Sequence, residues 1–159
     1  MNKAVFLDRD GVINRERGEY TFKIKDFELL PGVAATIKTA KERGFKVIVI
    51  SNQGGIAKGL YTVEDTDKLH VHMQGLLSKE GAPVNDIFYS PNHEVTGASL
   101  DRKPGSLLFE KAAYRHNINC EQSFMIGDSL RDIEAAEKLG ITSFLIEPNS
   151  SIEFIVKHL

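Results

Sequence analysis

Residues 4–11 read Ala4-Val5-Phe6-Leu7-Asp8-Arg9-Asp10-Gly11. The four apolar residues form a run of the kind that makes a buried strand. The strand therefore ends in two carboxylates, and Gly11 lets the chain turn away sharply. In open α/β sheets, ligands bind at the carboxyl ends of the strands. Two acids one residue apart at such an edge can divide a reaction, one binding metal and attacking while the other moves a proton. Asp and Gly are also ordinary turn residues, so the stretch alone leaves a polar turn open.

The chain beyond it repeats the pattern. Residues 12–30 form an irregular, charged stretch, long for a connection between a strand and a helix. Pro31-Gly32 opens a helix with Val33, Ile37 and Ala40 at helical spacing, and Gly44 stops it. Lys46 to Ile50 is a β-branched strand that runs into Ser51-Asn52-Gln53-Gly54-Gly55. Thr62 caps the next helix, with Asp65 in the capping-box position and Leu69, Met73, Leu76 and Leu77 as its apolar stripe. His70 and His72 cannot share one helical face and read as surface residues rather than ligands. Ile87 to Ser90 is a third strand, followed by a loop, residues 91–102. A helix over 106–116, a strand over 123–126 ending in Gly127-Asp128-Ser129, and a helix carrying Ile133, Ala136 and Leu139 follow. Thr142 to Ile146 is the fifth strand, and Ile152, Ile155 and Val156 mark a final amphipathic helix.

Strand and helix alternate throughout, which predicts an α/β fold: a mainly parallel five-stranded sheet in a Rossmann-like three-layer sandwich. The length of 159 residues suits one domain over 1–159. With 42% hydrophobic and 26% charged residues the balance is that of a globular chain. A net charge of −2 gives no bulk attraction to nucleic acid or anionic membranes. Cys120 is the only cysteine, which excludes an internal disulfide and a cysteine-rich zinc site, and the thiol reads as inert. The first residues lack a signal-peptide pattern and no apolar run reaches membrane length, so a cytoplasmic location is expected. A monomer is expected separately.

The ends of parallel strands point to one edge. Asp8, Asp10, Ser51, Asn52 and Asp128 should therefore converge, with Lys103 in the segment after the third strand. Three crowded carboxylates need a compensating cation, and oxygen donors favour Mg²⁺. A lysine, a serine hydroxyl and backbone N–H groups beside the metal suit a phosphoryl group. Asp8 is then a candidate nucleophile, since carboxylates form aspartyl-phosphates.

These segments resemble the four motifs of the haloacid dehalogenase superfamily of phosphatases. They are Asp8-Arg9-Asp10-Gly11-Val12, Ser51-Asn52-Gln53, Arg102-Lys103-Pro104, and Gly127-Asp128 followed by Asp132. Asn14, residues 26–32, Gly55-Ile56-Ala57, Gly59 and Asp101 narrow the resemblance. They point to the subgroup of D-glycero-D-manno-heptose 1,7-bisphosphate and histidinol-phosphate phosphatases. The resemblance implies one haloacid dehalogenase-like hydrolase domain with a minimal cap or none. Asp8 would attack phosphorus and Asp10 would act as general acid, then base. Mg²⁺ would be held by Asp8, the backbone carbonyl of Asp10, and Asp128. Ser51 and Lys103 would hold the phosphoryl oxygens. Arg102, Asn52, Gln53 and the segment around Arg17 to Tyr20 would meet the rest of a small phosphorylated metabolite. Arg15, Arg17 and Arg102 are the candidates for holding a second phosphate.

The implied activity is hydrolysis of the C7 phosphate of heptose 1,7-bisphosphate, with histidinol phosphate or another small metabolite as the alternative substrate. Members of this subgroup commonly carry a zinc loop of three cysteines and a histidine. Ser90, Asn92, Ser99 and Asp101 occupy the matching positions, so no structural zinc is expected. The basic residue common after the fourth-motif aspartate is Ser129. Asp132 could support the metal site or simply be a first-turn helix acid. A phospho-receiver module would need an aspartate ending the third strand, where Tyr89-Ser90 stands. An inactive binding module would not need all of Asp8, Asp10, Lys103 and Asp128.

Overall fold

The computed structural model describes residues 1–159. Its strands are β1 (Lys3–Leu7), β2 (Phe45–Asn52), β3 (Asp86–Ser90), β4 (Phe124–Gly127) and β5 (Thr142–Leu145). The helices between them are α1 (Val33–Glu42), α2 (Val63–Lys79), α3 (Leu107–His116) and α4 (Leu130–Glu137). The sheet order is β3-β2-β1-β4-β5 and every pairing is parallel. No helix is long and apolar enough to cross a membrane.

β1 is central and buried on both faces. Val5 and Leu7 face one way, Ala4 and Phe6 the other, as the two-residue period of a strand requires. Each set joins its own core. Val5 and Leu7 pack with Val33 and Ile37 of α1, Leu69 and Met73 of α2, and Ile152 and Ile155. Ala4 and Phe6 pack with Phe109 of α3 and Ala135 of α4. Two helices therefore cover each face, giving the three expected layers. The capping box of α2 forms as read: Asp65 N–H donates to Thr62 Oγ1 at 3.1 Å and Thr62 N–H to Asp65 at 2.9 Å.

Two readings are corrected. The last segment is a short 3₁₀ helix, Glu153–His158, not an α-helix, although it buries Ile155 as its pattern implied. His70 is buried, only 6% exposed. It lies on the stripe of Thr66, Leu69, Met73 and Leu77 that faces the core.

Residues 12–30 leave the sheet but stay anchored to it. Val12, Ile13, Phe27 and Leu30 are buried in the core below α1 and α2. Ile13 C=O accepts from Leu30 N–H at 2.9 Å and Glu28 C=O from Arg15 N–H at 2.9 Å, closing the excursion at its base. The register fixes the functional edge. Leu7 pairs with Val49 on one side and with Ile126 on the other. Asp8, Asn52 and Asp128 therefore leave the sheet at the same edge.

Candidate active site

A cleft of about 540 Å³ opens over this edge. Asp8, Asp10, Lys103, Asp128 and Asp132 line it, with Asn52, Gly54, Arg102, Tyr20, Glu16 and Glu19 among the residues around them. Four sequence candidates are not in its lining: Ser51 and Gln53, which are fully buried, and Arg15 and Arg17. Arg17 turns instead to Thr21 Oγ1 at 3.3 Å and to the carboxylate of Asp26 at 3.7 Å.

Lys103 organises the first half of the site. It is 1% exposed. Its Nζ lies 2.9 Å from Asp8 Oδ1 and 2.6 Å from Asp132 Oδ1, and donates to the Ile50 carbonyl at 2.6 Å. An ammonium has three donors, and all three have acceptors here. Asn52 fixes the backbone that carries it. Its side-chain oxygen accepts from Lys103 N–H at 2.9 Å and its amide donates to Lys103 C=O at 3.1 Å. Asp132 serves both purposes open to it. One oxygen meets Lys103, and the other accepts from Ser129 N–H at 3.1 Å, closing the capping box of α4.

The carboxylates of Asp8, Asp128 and Asp132 offer oxygens within 4.8 Å of one another. Burial, then the neighbouring Asp132, push Asp8 well above the usual carboxylate range; Lys103 pulls it back only in part. The same two causes push Asp128 up to about 6. Burial works against the charge on Lys103, but Asp132 and Asp8 outweigh it and raise its pKa. One lysine among three acids leaves the cluster short of positive charge. The approach to it is tight: Gly11 has φ +82°, and a Cβ there would overlap the carboxylate of Asp128.

Asp10 lines the same cleft but is held by a different set of partners. Arg9 Nη2 donates to both of its oxygens, at 2.9 and 3.1 Å. Asn14 and Gln53 side-chain amides donate at 2.9 and 3.1 Å. Burial alone would raise Asp10, but Arg9 and then these amides outweigh it and lower its pKa. Arg9 is itself 1% exposed. It also donates to the Thr21 carbonyl at 2.7 Å and lies 3.2 Å from His70 Nε2. Guanidinium has no acceptor, so His70 must accept through Nε2 and carry its proton on Nδ1. Burial and then Arg9 push the imidazole down to about 3, which keeps it a neutral acceptor. Gln53 extends the network outward. It donates to Ser51 Oγ at 2.8 Å and accepts from Tyr61 Oη at 2.6 Å, and Tyr61 stacks on Phe22.

Arg9, Asn14, His70 and Tyr61 are thus site residues that the motifs did not assign. The signal for His70 was its position among Leu69, Met73 and Leu77; the signal for Arg9 was a cation held between two acids. Arg131 and His93 also line the cleft, and no sequence pattern marks them.

The loop before Lys103 is tied by one acid. Asp101 accepts from Ser90 Oγ at 2.7 Å, from the Asn92 amide at 3.0 Å, and from Ser99 Oγ. Burial would raise Asp101, but these hydrogen bonds lower its pKa. The four residues at the zinc-ligand positions therefore bind one another.

The HAD-hydrolase-like family model matches residues 100–151. A D-glycero-β-D-manno-heptose-1,7-bisphosphate 7-phosphatase of Helicobacter pylori is 42% identical, covering 84% of this chain and 77% of the relative. The enzyme of the same name from Rhodopseudomonas palustris is 36% identical, over 98% and 89%. A crystal structure of D,D-heptose 1,7-bisphosphate phosphatase from B. bronchiseptica, complexed with magnesium and phosphate, superposes with a TM-score of 0.84 at 30% identity. It covers 90% of this chain and 79% of that one. With the motif geometry, these similarities establish that the chain belongs to the haloacid dehalogenase-like hydrolases, in the group of the heptose bisphosphate phosphatases.

Proposed function

We propose that the protein is a Mg²⁺-dependent phosphatase that removes the C7 phosphate of D-glycero-D-manno-heptose 1,7-bisphosphate through an aspartyl-phosphate. The observation that carries this reading is Asp8 at the end of the central strand, held by buried Lys103 at 2.9 Å and facing two further carboxylates. Relatives named for that substrate support this choice of substrate.

The residues fit a divalent cation. Close oxygen donors short of positive charge are the setting Mg²⁺ takes, and burial makes the deficit larger. Asp8, Asp128 and the backbone carbonyl of Asp10 would hold it, with Asp132 alongside. Bound there, the cation would screen the repulsion between carboxylate and phosphate and polarise the phosphoryl oxygens.

Asp8 attacks phosphorus, a new oxygen–phosphorus bond forms, and the sugar–oxygen bond to phosphorus breaks. The leaving oxygen takes a proton from Asp10. The charge of the bound phosphate raises the pKa of Asp10 against the pull of Arg9, so the carboxyl can be protonated for this step. Asp10, returned to the carboxylate form that Arg9, Asn14 and Gln53 favour, then takes a proton from water. That water displaces phosphate from Asp8. Lys103 orients Asp8 and lends its charge to the transferring group. Ser51 lies beneath the cleft and acts through Gln53. Tyr20, Asn52 and Arg102 meet the rest of the substrate. The loop over residues 91–102 takes no structural zinc, because Ser90, Asn92 and Ser99 use their polar groups on Asp101 and none offers thiolate or imidazole.

Phosphate release from heptose 1,7-bisphosphate, histidinol phosphate and simple sugar phosphates tests the reading. Turnover of the heptose substrate with Mg²⁺, abolished by chelator, is expected. Activity on histidinol phosphate alone, or full activity in chelator, would contradict it.

A further inference from the structure

Arg9 and Gln53 both hold Asp10, and each is tied in turn to the segment that follows Gly18. Arg9 Nη2 reaches the Thr21 carbonyl at 2.7 Å. Gln53 is reached through Tyr61, whose ring stacks on Phe22 at 4.8 Å between centroids and 7° between planes. The contacts close a ring through Asp10, Arg9, Thr21, Phe22, Tyr61 and Gln53.

Local structure puts Tyr61 in this ring. After β2 the chain doubles back: Ile56 N–H donates to the Gln53 carbonyl at 3.2 Å and Leu60 N–H to the Gly55 carbonyl at 2.9 Å. Thr62 then starts α2 with its capping box. The Tyr61 side chain falls back over the strand end, and Gly55 lets it in, because a Cβ there would overlap the ring. Phe22 and Tyr20 pack against it, and Tyr61 is left 5% exposed.

A glutamine amide has a donating end and an accepting end, and burial makes the choice between them costly to get wrong. Gln53 is 1% exposed. Its Nε2 donates to Asp10 Oδ2 at 3.1 Å and to Ser51 Oγ at 2.8 Å, and its Oε1 accepts from Tyr61 Oη at 2.6 Å. Burial pushes the phenol pKa up, so the O–H is kept and donates. Turned over, the amide would set its oxygen against the Asp10 carboxylate and leave the Tyr61 O–H without an acceptor. Besides Arg9, Gln53 is the only donor to Asp10 Oδ2.

We propose that Tyr61 is a positioning residue for proton transfer: its hydroxyl holds the Gln53 amide in the one orientation that donates to Asp10, and so keeps the Asp10 carboxyl aimed at the leaving oxygen. The inference rests on the phosphatase reading above. Tyr61 does not line the cleft, so its effect belongs to turnover and not to substrate binding.

The test is steady-state kinetics with Mg²⁺ on heptose 1,7-bisphosphate for the wild type, Tyr61→Phe, Gln53→Met and the double variant. Tyr61→Phe keeps the ring and its stacking on Phe22, so the fold is retained, and thermal unfolding checks this. Its kcat should fall about tenfold, the loss of one buried hydrogen bond, with KM within about twofold. Gln53→Met should lower kcat at least as far. Added to Gln53→Met, Tyr61→Phe should change kcat by less than about twofold, because the amide through which it acts is gone. An unchanged kcat in Tyr61→Phe, whatever its unfolding temperature, would overturn the inference and leave the phosphatase reading intact. So would equal losses of kcat from Tyr61→Phe in the two backgrounds. A wild type without Mg²⁺-dependent turnover would overturn both.

Discussion

Asp8 and Asp10 leave one strand a residue apart and enter opposite surroundings. Burial raises the pKa of both carboxyls, and partners decide the outcome. Around Asp8 stand Asp132, Asp128 and one lysine, so its charge is resisted. Around Asp10 stand Arg9, Asn14 and Gln53, so its charge is favoured. The first pocket calls for added positive charge; the second is already supplied with donors. Such a split between neighbouring titratable groups is how two identical side chains take different parts in one reaction.

Substitutions can break or sharpen this contrast. Asp10→Asn should lower kcat by about 10²–10⁴, the usual value of a general acid–base group. It also leaves the buried Arg9 without its counter-charge and turns an amide NH2 toward a donor, so thermal stability should fall as well; a kcat within tenfold of wild type would remove Asp10 from proton transfer. Lys103→Met acts on the other pocket. It leaves Asp8 and Asp132 facing each other without their cation, and breaking such a buried pair costs about 3–5 kcal/mol. Urea unfolding without metal measures this, and an unchanged midpoint would mean that Lys103 does not hold the first pocket together.

His70→Phe should cost about 1–3 kcal/mol by leaving Arg9 Nη1 unpaired. It should also lower kcat with little change in KM, because Asp10 loses its fixed orientation. His70→Gln, which can restore an acceptor, should recover both; a loss of stability in His70→Phe with kcat unchanged would make His70 structural only.

The smallest effect is expected from Asp101→Asn. The Asp101 pKa is lowered in the folded protein, so its contribution is present above the unfolded carboxylate range and is lost as pH falls through the folded value. Hydrogen exchange over residues 91–102 should rise by about tenfold at neutral pH in the variant, the loss of roughly 1 kcal/mol. The wild type should approach that rate, after correction for intrinsic exchange, only in acid. No difference at neutral pH would show that other contacts order this loop.

The fold was legible because apolar runs ending in polar residues mark strand ends, and alternation marks a parallel sheet. Asp8's pocket was legible for the same reason, although its lysine lies 95 residues away. Asp10's pocket was less so, although Arg9 is adjacent and Asn14 is four residues on. Its groups come from a loop, a strand end and α2, and no strand-end rule joins them. The period of β2 explains one difference: Asn52 reaches the cleft while Ser51 and Gln53 are buried. Reading His70 beside His72 hid its place on the apolar stripe. Arg131 was not legible, since its place in the cleft depends on how α4 leaves β4.

The central claim is that Asp8, not Asp10, carries the phosphoryl group. Brief reaction of the protein with Mg²⁺ and heptose 1,7-bisphosphate labelled in its C7 phosphate, an acid quench, and peptide mapping test it directly. The account predicts label on the peptide containing Asp8, specifically at Asp8, more of it in Asp10→Asn, and none in Asp8→Asn, which should also lose turnover by about 10⁴–10⁶. Label at another residue, or near-normal turnover in Asp8→Asn, would contradict it.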